Sequence, residues 1–256
     1  MPPGLLVRGT QAQLAAAFDR IAPLQPVRWT ADGVVCAPRA APGVSGADIA
    51  AAGLDTVAVP QVPGWPAPPS GWIAGWYHRA PGHVPAPPGV RELVLVDGEG
   101  FGTAPHPTTG LCLAAVDDAP DADAWDLGCG AGLLSQAWVA ARGGRVDAVE
   151  VDTRALAQAA AAAGAAGRAG GITFHAGTAQ ALRPHVTGRV VLANLPPVAH
   201  RVVAPALRGT PVCVIAAGFR ERDTKAVCAL YAALGVAPAE LSRAGGWVCV
   251  TLRPGA

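Results

Sequence analysis

A glycine-rich stretch in the middle of the chain constrains its fold more than any other feature. The sequence Asp-Leu-Gly-Cys-Gly-Ala-Gly at residues 126–132 follows a short apolar segment that begins at Ala124, and it precedes a largely apolar segment at 133–139. Glycines in such a turn adopt backbone angles that a Cβ atom obstructs, and they let a ligand approach the main chain closely. A strand, a glycine turn and a helix in this order predict an α/β fold with a nucleotide-type site at the turn.

The spacing of the glycines separates two kinds of ligand. A dinucleotide site favours G-x-G-x-x-G, but the third glycine of that pattern would fall on Leu133. Here one acid precedes three alternating glycines: Asp126, Gly128, Gly130 and Gly132. This pattern resembles motif I of the S-adenosylmethionine (SAM)-dependent methyltransferases, and the resemblance implies that Asp126 lies near the methionine amino end of the ligand.

A second acidic side chain stands at the end of the next predicted strand. Residues 145–152 form this strand, and Glu150 follows the glycine turn by about 20 residues. At this spacing a carboxylate accepts hydrogen bonds from ribose hydroxyls. The turn and the acid together therefore predict a nucleoside site, and the alternative is a structural strand-to-helix turn that binds no ligand.

The composition argues against several classes of function. The 256 residues carry a net charge of +1 and 14% charged side chains, so we expect no direct nucleic-acid binding. No apolar run approaches the roughly 20 residues of a membrane span. The amino terminus lacks a secretory pattern, which predicts a cytoplasmic protein without membrane contact. The six cysteines form no C-x-x-C pair, so we expect reduced core residues and no metal site.

Prolines and glycines divide the chain into three predicted regions. Residues 1–60 are predicted to form a small α+β substrate-recognition domain. Its predicted elements are a strand at 5–9, a helix at 11–21, and strands at 27–30 and 34–37 joined by an Asp-Gly hairpin turn. Residues 61–90, rich in proline, glycine and tryptophan, are a predicted linker whose aromatic rings pack on a neighbouring domain or bind a partner. Residues 91–256 form the predicted α/β domain.

Strands and helices alternate along this last region. The predicted strands are 91–97, 124–127, 145–152, 172–175, 190–193, 212–217, 236–242 and 247–252, the last two forming a closing hairpin. The predicted helices are 108–116, a helix that begins at 133, and 153–168, 198–208 and 221–234. Alternation at this spacing predicts a largely parallel sheet.

Polar side chains collect in residues 99–109, just before the first of these helices. Thr103, Thr108 and Thr109 offer hydroxyls and His106 offers an imidazole close to a helix amino terminus, where backbone donors also gather. The alternative interpretation is a helix cap stiffened by proline.

Several ordered segments resemble one known family, the ribosomal protein L11 methyltransferases. They are F-G-T at 101–103 with H-P-T-T at 106–109, the glycine turn, E-V-D at 150–152, A-N-L at 193–195, A-P-A-L at 204–207 and G-W-V at 246–248. The resemblance implies a small recognition domain on a Rossmann-like, seven-stranded mixed sheet of the class I methyltransferases. It also implies SAM as cofactor and N-methylation of lysine side chains and the α-amino group of ribosomal protein L11.

The resemblance also assigns residues to the two sides of the site. It places Thr103, Thr108 and Thr109 on the cofactor and substrate side of the pocket, and such folds place the adenine edge near Thr178. The resulting cofactor set is Thr103, Thr109, Asp126, Gly128, Gly130, Gly132, Glu150, Thr178 and Asn194.

Asn194 directly follows the predicted strand at 190–193 and begins the sequence Asn-Leu-Pro-Pro. A lysine amine, with a pKa of about 10.4, arrives protonated and must lose a proton before it accepts a methyl group. An apolar entrance lowers that pKa, and a neutral amide oxygen orients the amine without stabilising its cation as a carboxylate would. Asn194 is therefore predicted to be catalytic together with Thr108 and His106, where His106 either relays a proton or makes a structural hydrogen bond.

Ribosomal protein L11 is thus the predicted partner, and two alternatives stay open. One is a diverged methyltransferase that acts on another protein or on a small-molecule amine. The other is a SAM-binding interaction module that has lost catalysis and contacts a partner through its tryptophan-rich segment. A nicotinamide oxidoreductase is disfavoured, because the glycine spacing does not fit.

Overall fold

The computed structural model describes residues 4–17, 26–30, 33–36, 50–51, 53–59, 71–81, 83, 85–96, 101 and 106–255. The chain divides into two units, Met1–Asp97 and Gly98–Ala256. The first unit thus extends through the whole region that the sequence predicted to be a linker, residues 61–90.

A helix and a sheet form in the first part of this unit. They are β1 (Gly4–Arg8), α1 (Gln11–Ala16), β2 (Pro26–Thr30), β3 (Gly33–Cys36) and β4 (Asp55–Val59). Among the described residues the strand order is β2-β3-β1-β4, and every neighbouring pair is antiparallel. The pairing of β2 with β3 agrees with the predicted hairpin, although its residues 31 and 32 lie outside the described part of the chain. Val7, Leu14 and Leu54 are buried.

Strands also occur inside the predicted linker. They are β5 (Gly71–Ile73), β6 (Trp76–Arg79) and, just beyond it, β7 (Glu92–Val94). Trp76 and Tyr77 are fully buried, and Arg79 donates to Glu92 through contacts of 2.8 and 2.9 Å. Buried aromatic rings and a bidentate ion pair stabilise a small sheet here, despite the surrounding prolines. Strands β5 and β6 thus lie within the range that the sequence predicted to be a linker, and residues 60–70 lie outside the described part.

The second unit contains the predicted seven-stranded mixed sheet. Its strands are β8 (Ala124–Leu127), β9 (Val146–Glu150), β10 (Ile172–Ala176), β11 (Val190–Asn194), β12 (Cys213–Arg220), β13 (Val236–Ala244) and β14 (Trp247–Pro254). Among the described residues their order is β10-β9-β8-β11-β12-β14-β13. Neighbours from β10 to β12 are parallel, whereas β14 is antiparallel to both of its neighbours. The predicted fold class is confirmed.

Helices connect these strands. They are α2 (Pro107–Asp117), α3 (Leu133–Arg142), α4 (Thr153–Ala165), α5 (Ala179–Leu182), α6 (Pro197–Val203) and α7 (Thr224–Ala232). The helix predicted at 198–208 was too long, because Pro205 has no backbone N–H and lies in a 3-10 turn, Ala204–Ala206. The helix predicted at 221–234 begins later, after a 3-10 turn at Glu221–Asp223.

The centre of the sheet is apolar, and the polar side chains of interest stand at its edge. Val191, Leu192 and Ile215 on the central strands are fully buried. Because β8, β9 and β11 are parallel, their carboxyl ends meet at the same edge of the sheet. The cysteines that the structure describes as free thiols are buried: Cys112, Cys129, Cys213, Cys228 and Cys249. Within the described residues, every helix falls short of the length and apolarity that a bilayer crossing demands.

Candidate active site

A cavity of about 790 Å³ opens at the carboxyl ends of β8, β9 and β11. Pockets of this size accommodate ligands as large as a nucleoside with substituents. The predicted site residues that line it are His106, Thr108, Gly128, Gly130, Glu150, Thr178 and Asn194. Most of the residues that the sequence selected therefore lie around one space.

The other predicted residues are placed differently. Asp126 and Thr109 line a second space of about 20 Å³, to which Gly128 and Asn194 also contribute. This chamber has room for about one water molecule. Gly132 lines neither space, and a Cβ there would lie 2.9 Å from the Cβ of Ala159, so this glycine allows close helix packing. Thr103 lies outside the described residues.

Two glycines of the turn have positive φ angles and close neighbours. Gly128 has a φ of 71°, and a Cβ on it would lie 2.5 Å from Cδ2 of Leu195. Gly130 has a φ of 53°, and a Cβ on it would lie 2.5 Å from the carbonyl oxygen of Phe101. The same oxygen accepts a hydrogen bond of 2.9 Å from the backbone N–H of Ala131. The positive φ angle therefore favours glycine at both positions, and at Gly130 the neighbouring backbone oxygen also leaves no space for a Cβ.

Asp126 is a buried acid beneath the turn. Its Oδ2 accepts a hydrogen bond of 2.6 Å from the Ser135 hydroxyl at the start of α3. Burial raises the pKa of Asp126 to about 6, the Ser135 hydrogen bond opposes this shift, and the nearby charge of Glu150 adds to it. A buried acid of this kind binds a cation in its charged form but not in its neutral form.

The Glu150 carboxylate accepts hydrogen bonds from three backbone N–H groups. Its Oε2 accepts a hydrogen bond of 3.0 Å from the N–H of Gly130. Its Oε1 accepts from the N–H groups of Val151 and Asp152 at 2.7 and 3.0 Å. Because an ionised carboxylate offers about four acceptor positions, capacity remains for a hydroxyl in the cavity.

Asn194 lines both the cavity and the small chamber. Its Oδ1 and the Thr109 hydroxyl are buried, and neither has a hydrogen-bond partner among the described residues. Leaving such a group unpaired costs about 1–3 kcal/mol. Both groups line the small chamber beside Asp126, so this part of the site is suited to a ligand that carries hydrogen-bond donors.

His106 caps helix α2 and also lines the cavity. Its Nδ1 accepts from the backbone N–H of Thr108 at 3.3 Å and lies 2.8 Å from the Thr108 hydroxyl. Since Nδ1 acts as an acceptor, Nε2 carries the ring proton in the neutral imidazole. This arrangement favours the structural alternative for His106 over a proton relay.

Three rings stand next to one another along this side of the cavity. The His106 centroid lies 5.4 Å from that of Phe101 and 4.8 Å from that of Trp247, both in edge-to-face arrangements. Phe101 is 59% exposed. The Arg220 guanidinium lies 3.8 Å from the Trp247 centroid. The result is an aromatic wall, formed by Phe101, His106 and Trp247, that is suited to an alkyl chain.

Thr178 and Gly218 complete the description of the cavity. Thr178 caps α5, because its hydroxyl accepts from the N–H of Ala181, and it lines the cavity as the sequence predicted. Gly218 was not predicted. Its φ is 94°, and a Cβ would clash with the carbonyl oxygen of Leu195. A glycine at the end of a predicted strand was the signal that could have identified it.

Fold and site together define a class of protein. Class I methyltransferases share three features that this chain shows. The strand order places β14, which is antiparallel to its neighbours, next to the edge of the sheet; a glycine turn follows β8, and an acid ends β9. The sequence model of the family described as "Ribosomal protein L11 methyltransferase (PrmA)" matches residues 83–254. The chain belongs to this family.

Individual relatives agree with this membership. The chain is 33% identical over 178 residues to a ribosomal protein L11 methyltransferase of Gloeobacter violaceus. The matched segment covers 66% of this chain and 55% of the relative. It is 32% identical over 189 residues to a ribosomal protein L11 methyltransferase of Bordetella parapertussis, and this match covers 70% of this chain and 60% of the relative. The chain thus matches little more than half the length of these relatives.

A solved structure shares the fold. The crystal structure of ribosomal protein L11 methylase from Lactobacillus delbrueckii subsp. bulgaricus superposes with a TM-score of 0.62 at 19% identity. The match covers 71% of this chain and 96% of that one.

Proposed function

We propose that this chain is a SAM-dependent N-methyltransferase that methylates amine nitrogens of ribosomal protein L11. Family membership supports the reaction class, and the names of the relatives suggest the substrate. The single observation that carries the proposal is the amide oxygen of Asn194: the residue lines the cavity, and its Oδ1 is buried without a hydrogen-bond partner among the described residues. On this proposal, the chain acts in the cytoplasm, and the unit Met1–Asp97 recognises the substrate.

The residues around the cavity fit SAM. Glu150 retains acceptor capacity for a ribose hydroxyl, and Asp126, which lines the adjoining small chamber, offers a buried carboxylate to the amino group of the methionine moiety. Thr178 lies on the side that we assign to the base, and Gly128 and Gly130 keep the backbone open to a close ligand. When bound, SAM supplies an electrophilic methyl group on a sulfonium.

The remaining task of the protein is to present an unprotonated amine in the right orientation. The apolar side chains that line the cavity, among them Leu195, Val198 and Val202, disfavour the charged form of a lysine side chain and so lower its pKa. Asn194 Oδ1 then accepts a hydrogen bond from the neutral amine and aligns its lone pair. Orientation of this kind supplies most of the rate enhancement in a displacement reaction. The Thr108 hydroxyl, next to His106, lies on the substrate side of the same cavity.

The proposed reaction is tested with purified components. We expect mass increments of whole methyl groups on ribosomal protein L11 after incubation with the chain and SAM. L11 whose amines have been acetylated beforehand serves as the control and should gain no mass. Binding of SAM without any mass increment on L11 would contradict the proposed substrate, and methylation of free small-molecule amines instead would support the alternative that the sequence left open.

The cofactor side is tested at Glu150. Replacing Glu150 by alanine removes hydrogen bonds to a charged group, each of which contributes about 1.5–3 kcal/mol. We expect the affinity for SAM to fall by about 10- to 100-fold, measured by titration calorimetry. Glu240→Ala removes an exposed glutamate of β13 and should leave the affinity unchanged. Equal dissociation constants for the Glu150 variant and the parent would exclude Glu150 from the binding site.

A further inference from the structure

A second layer of hydrogen bonds lies behind Asn194. The chain leaves β11 at Asn194, and the backbone N–H of the next residue, Leu195, donates to the carbonyl oxygen of Ala217 at 2.9 Å. The ring of His200, one turn into α6, lies against the same oxygen, with its Nε2 2.9 Å away. The Tyr231 hydroxyl of α7 lies 2.8 Å from Nδ1 of this ring. Three elements therefore meet directly behind the residue that faces the cavity.

The chemistry of the partners fixes the roles in this chain of hydrogen bonds. A carbonyl oxygen only accepts, so Nε2 of His200 carries the proton and donates to Ala217. In the neutral ring Nδ1 then accepts from the Tyr231 hydroxyl. Burial lowers the pKa of His200, although hydrogen bonds with the carbonyl groups of Ala217 and Leu195 oppose the shift. Both His200 and Tyr231 are fully buried, so neither can itself contact a substrate in the cavity.

The backbone next to Asn194 packs closely against β12. Gly218, the residue after Ala217, approaches the Leu195 carbonyl so closely that a Cβ atom would not fit. The pairing between β12 and β14 shifts register between Ala217 and Phe219, which places Gly218 at an irregularity of the strand. Phe219 in turn contacts the His200 ring edge to face, with centroids 5.4 Å apart. The orientation of the segment that starts at Asn194 is thus determined by contacts with Ala217, Gly218 and His200.

We propose that His200, oriented by Tyr231, is a positioning residue that holds the Asn194–Leu195 backbone and thereby aims the Asn194 amide at the cavity. Its kinetic consequence rests on the proposed function, whereas its structural consequence does not. Loss of the His200 hydrogen bonds should displace Asn194 while the glycine turn and Glu150, which belong to other elements, stay in place.

The structural consequence can be measured without any substrate, because Asn194 is the only asparagine in the sequence. A chain labelled with ¹⁵N-asparagine therefore gives one backbone amide signal and one side-chain amide pair. We expect His200→Leu to shift both signals and Tyr231→Phe to shift them in the same direction by less. The control is His175→Gln. His175 of β10 pairs with Asp147 and does not line the cavity, so its replacement should leave both signals in place. Unchanged Asn194 signals in His200→Leu and in Tyr231→Phe would overturn the proposal.

The kinetic consequence is measured with ribosomal protein L11 as acceptor. A displacement of about 1 Å at a reacting group costs up to about 100-fold in rate, so we expect His200→Leu to lower kcat by roughly that factor. The affinity for SAM should stay within about two-fold, since the Asn194 amide is used mainly in the reacting complex. His200→Gln, which can still donate to Ala217, should recover part of the loss, whereas a merely packed histidine would not be rescued by glutamine.

The outcomes separate the two proposals. If His200→Leu does not fold, Tyr231→Phe removes only one hydroxyl and should lower kcat by about ten-fold, the effect of a single hydrogen bond. An active parent together with full kcat in Tyr231→Phe would overturn the positioning role. An inactive parent would contradict the proposed methylation of L11, and the asparagine signals would then still decide the role of His200.

Discussion

Replacing Asn194 by alanine is expected to lower turnover with ribosomal protein L11 by about 100-fold or more, because alignment of the reacting amine is lost. Asn194 lines the cavity, and its amide oxygen is buried with no hydrogen-bond partner among the described residues, so its removal should cost little elsewhere. SAM affinity should stay within about two-fold, since a group used mainly in the reacting complex contributes to kcat more than to binding. Single-turnover kinetics and titration calorimetry measure the two quantities separately.

Asn194→Asp is the informative companion variant. It keeps the size of the side chain but introduces a carboxylate, which would stabilise the protonated amine and raise its pKa. We therefore expect Asn194→Asp to be as inactive as the alanine variant at neutral pH, and to recover part of its activity as the pH rises and the amine loses its proton. Unchanged turnover in Asn194→Ala would exclude the role that we assign to the amide.

The local part of the site could be predicted from the sequence. The turn at Gly128 and Gly130 needs positive φ angles, and this requirement is visible in the glycine spacing itself. The position of Glu150 could be predicted because about 20 residues, one helix and one strand, separate it from the turn. This spacing brings the end of β9 next to the turn. The largely parallel sheet followed from the alternation of strands and helices, and its seven-stranded mixed character followed from the family resemblance.

The support behind the site could not be predicted, because it depends on tertiary contacts. His200 lies 17 residues from Ala217 and 31 from Tyr231, and no pattern in the sequence joins them. Similarly, the prolines of residues 61–90 obscured the strands around Trp76, whose burial depends on partners elsewhere in the first unit. Propensity describes a segment alone, whereas these features arise when segments pack.

Asp126→Asn should make the chain more stable and its proposed cofactor site weaker. Asp126 has a folded pKa of about 6, above the ordinary value of 3.8, so the folded state disfavours the ionised form. At neutral pH this pKa shift lowers the free energy of unfolding by about 3 kcal/mol, because the ionised carboxyl is less favourable in the folded state. The stability contribution of the protonated form is complete below the unfolded pKa and is lost as the pH rises through about 6. Asparagine carries no charge and avoids this loss.

Urea denaturation across a range of pH measures the effect. Asp126→Asn should raise the free energy of unfolding by about 3 kcal/mol at pH 8, and this advantage should shrink as the pH falls from about 6 towards 4. Asp147→Asn is the control of opposite sign. Burial alone would raise the pKa of Asp147, but hydrogen bonds from His175 and Arg189 outweigh it and hold this pKa below its usual value. Asp147→Asn should therefore destabilise the chain at neutral pH.

The same Asp126 variant tests the assignment of the cofactor amino group. If the ionised carboxylate binds that ammonium group, Asp126→Asn should weaken SAM binding at pH 8 by about 10- to 100-fold, the effect of one charge-assisted hydrogen bond. The affinity of the parent should fall as the pH drops below about 6, because Asp126 then becomes neutral, whereas the variant should lack this dependence. A gain in stability without a loss of affinity would mean that Asp126 is buried for packing alone, since the charge would then have no ligand to bind.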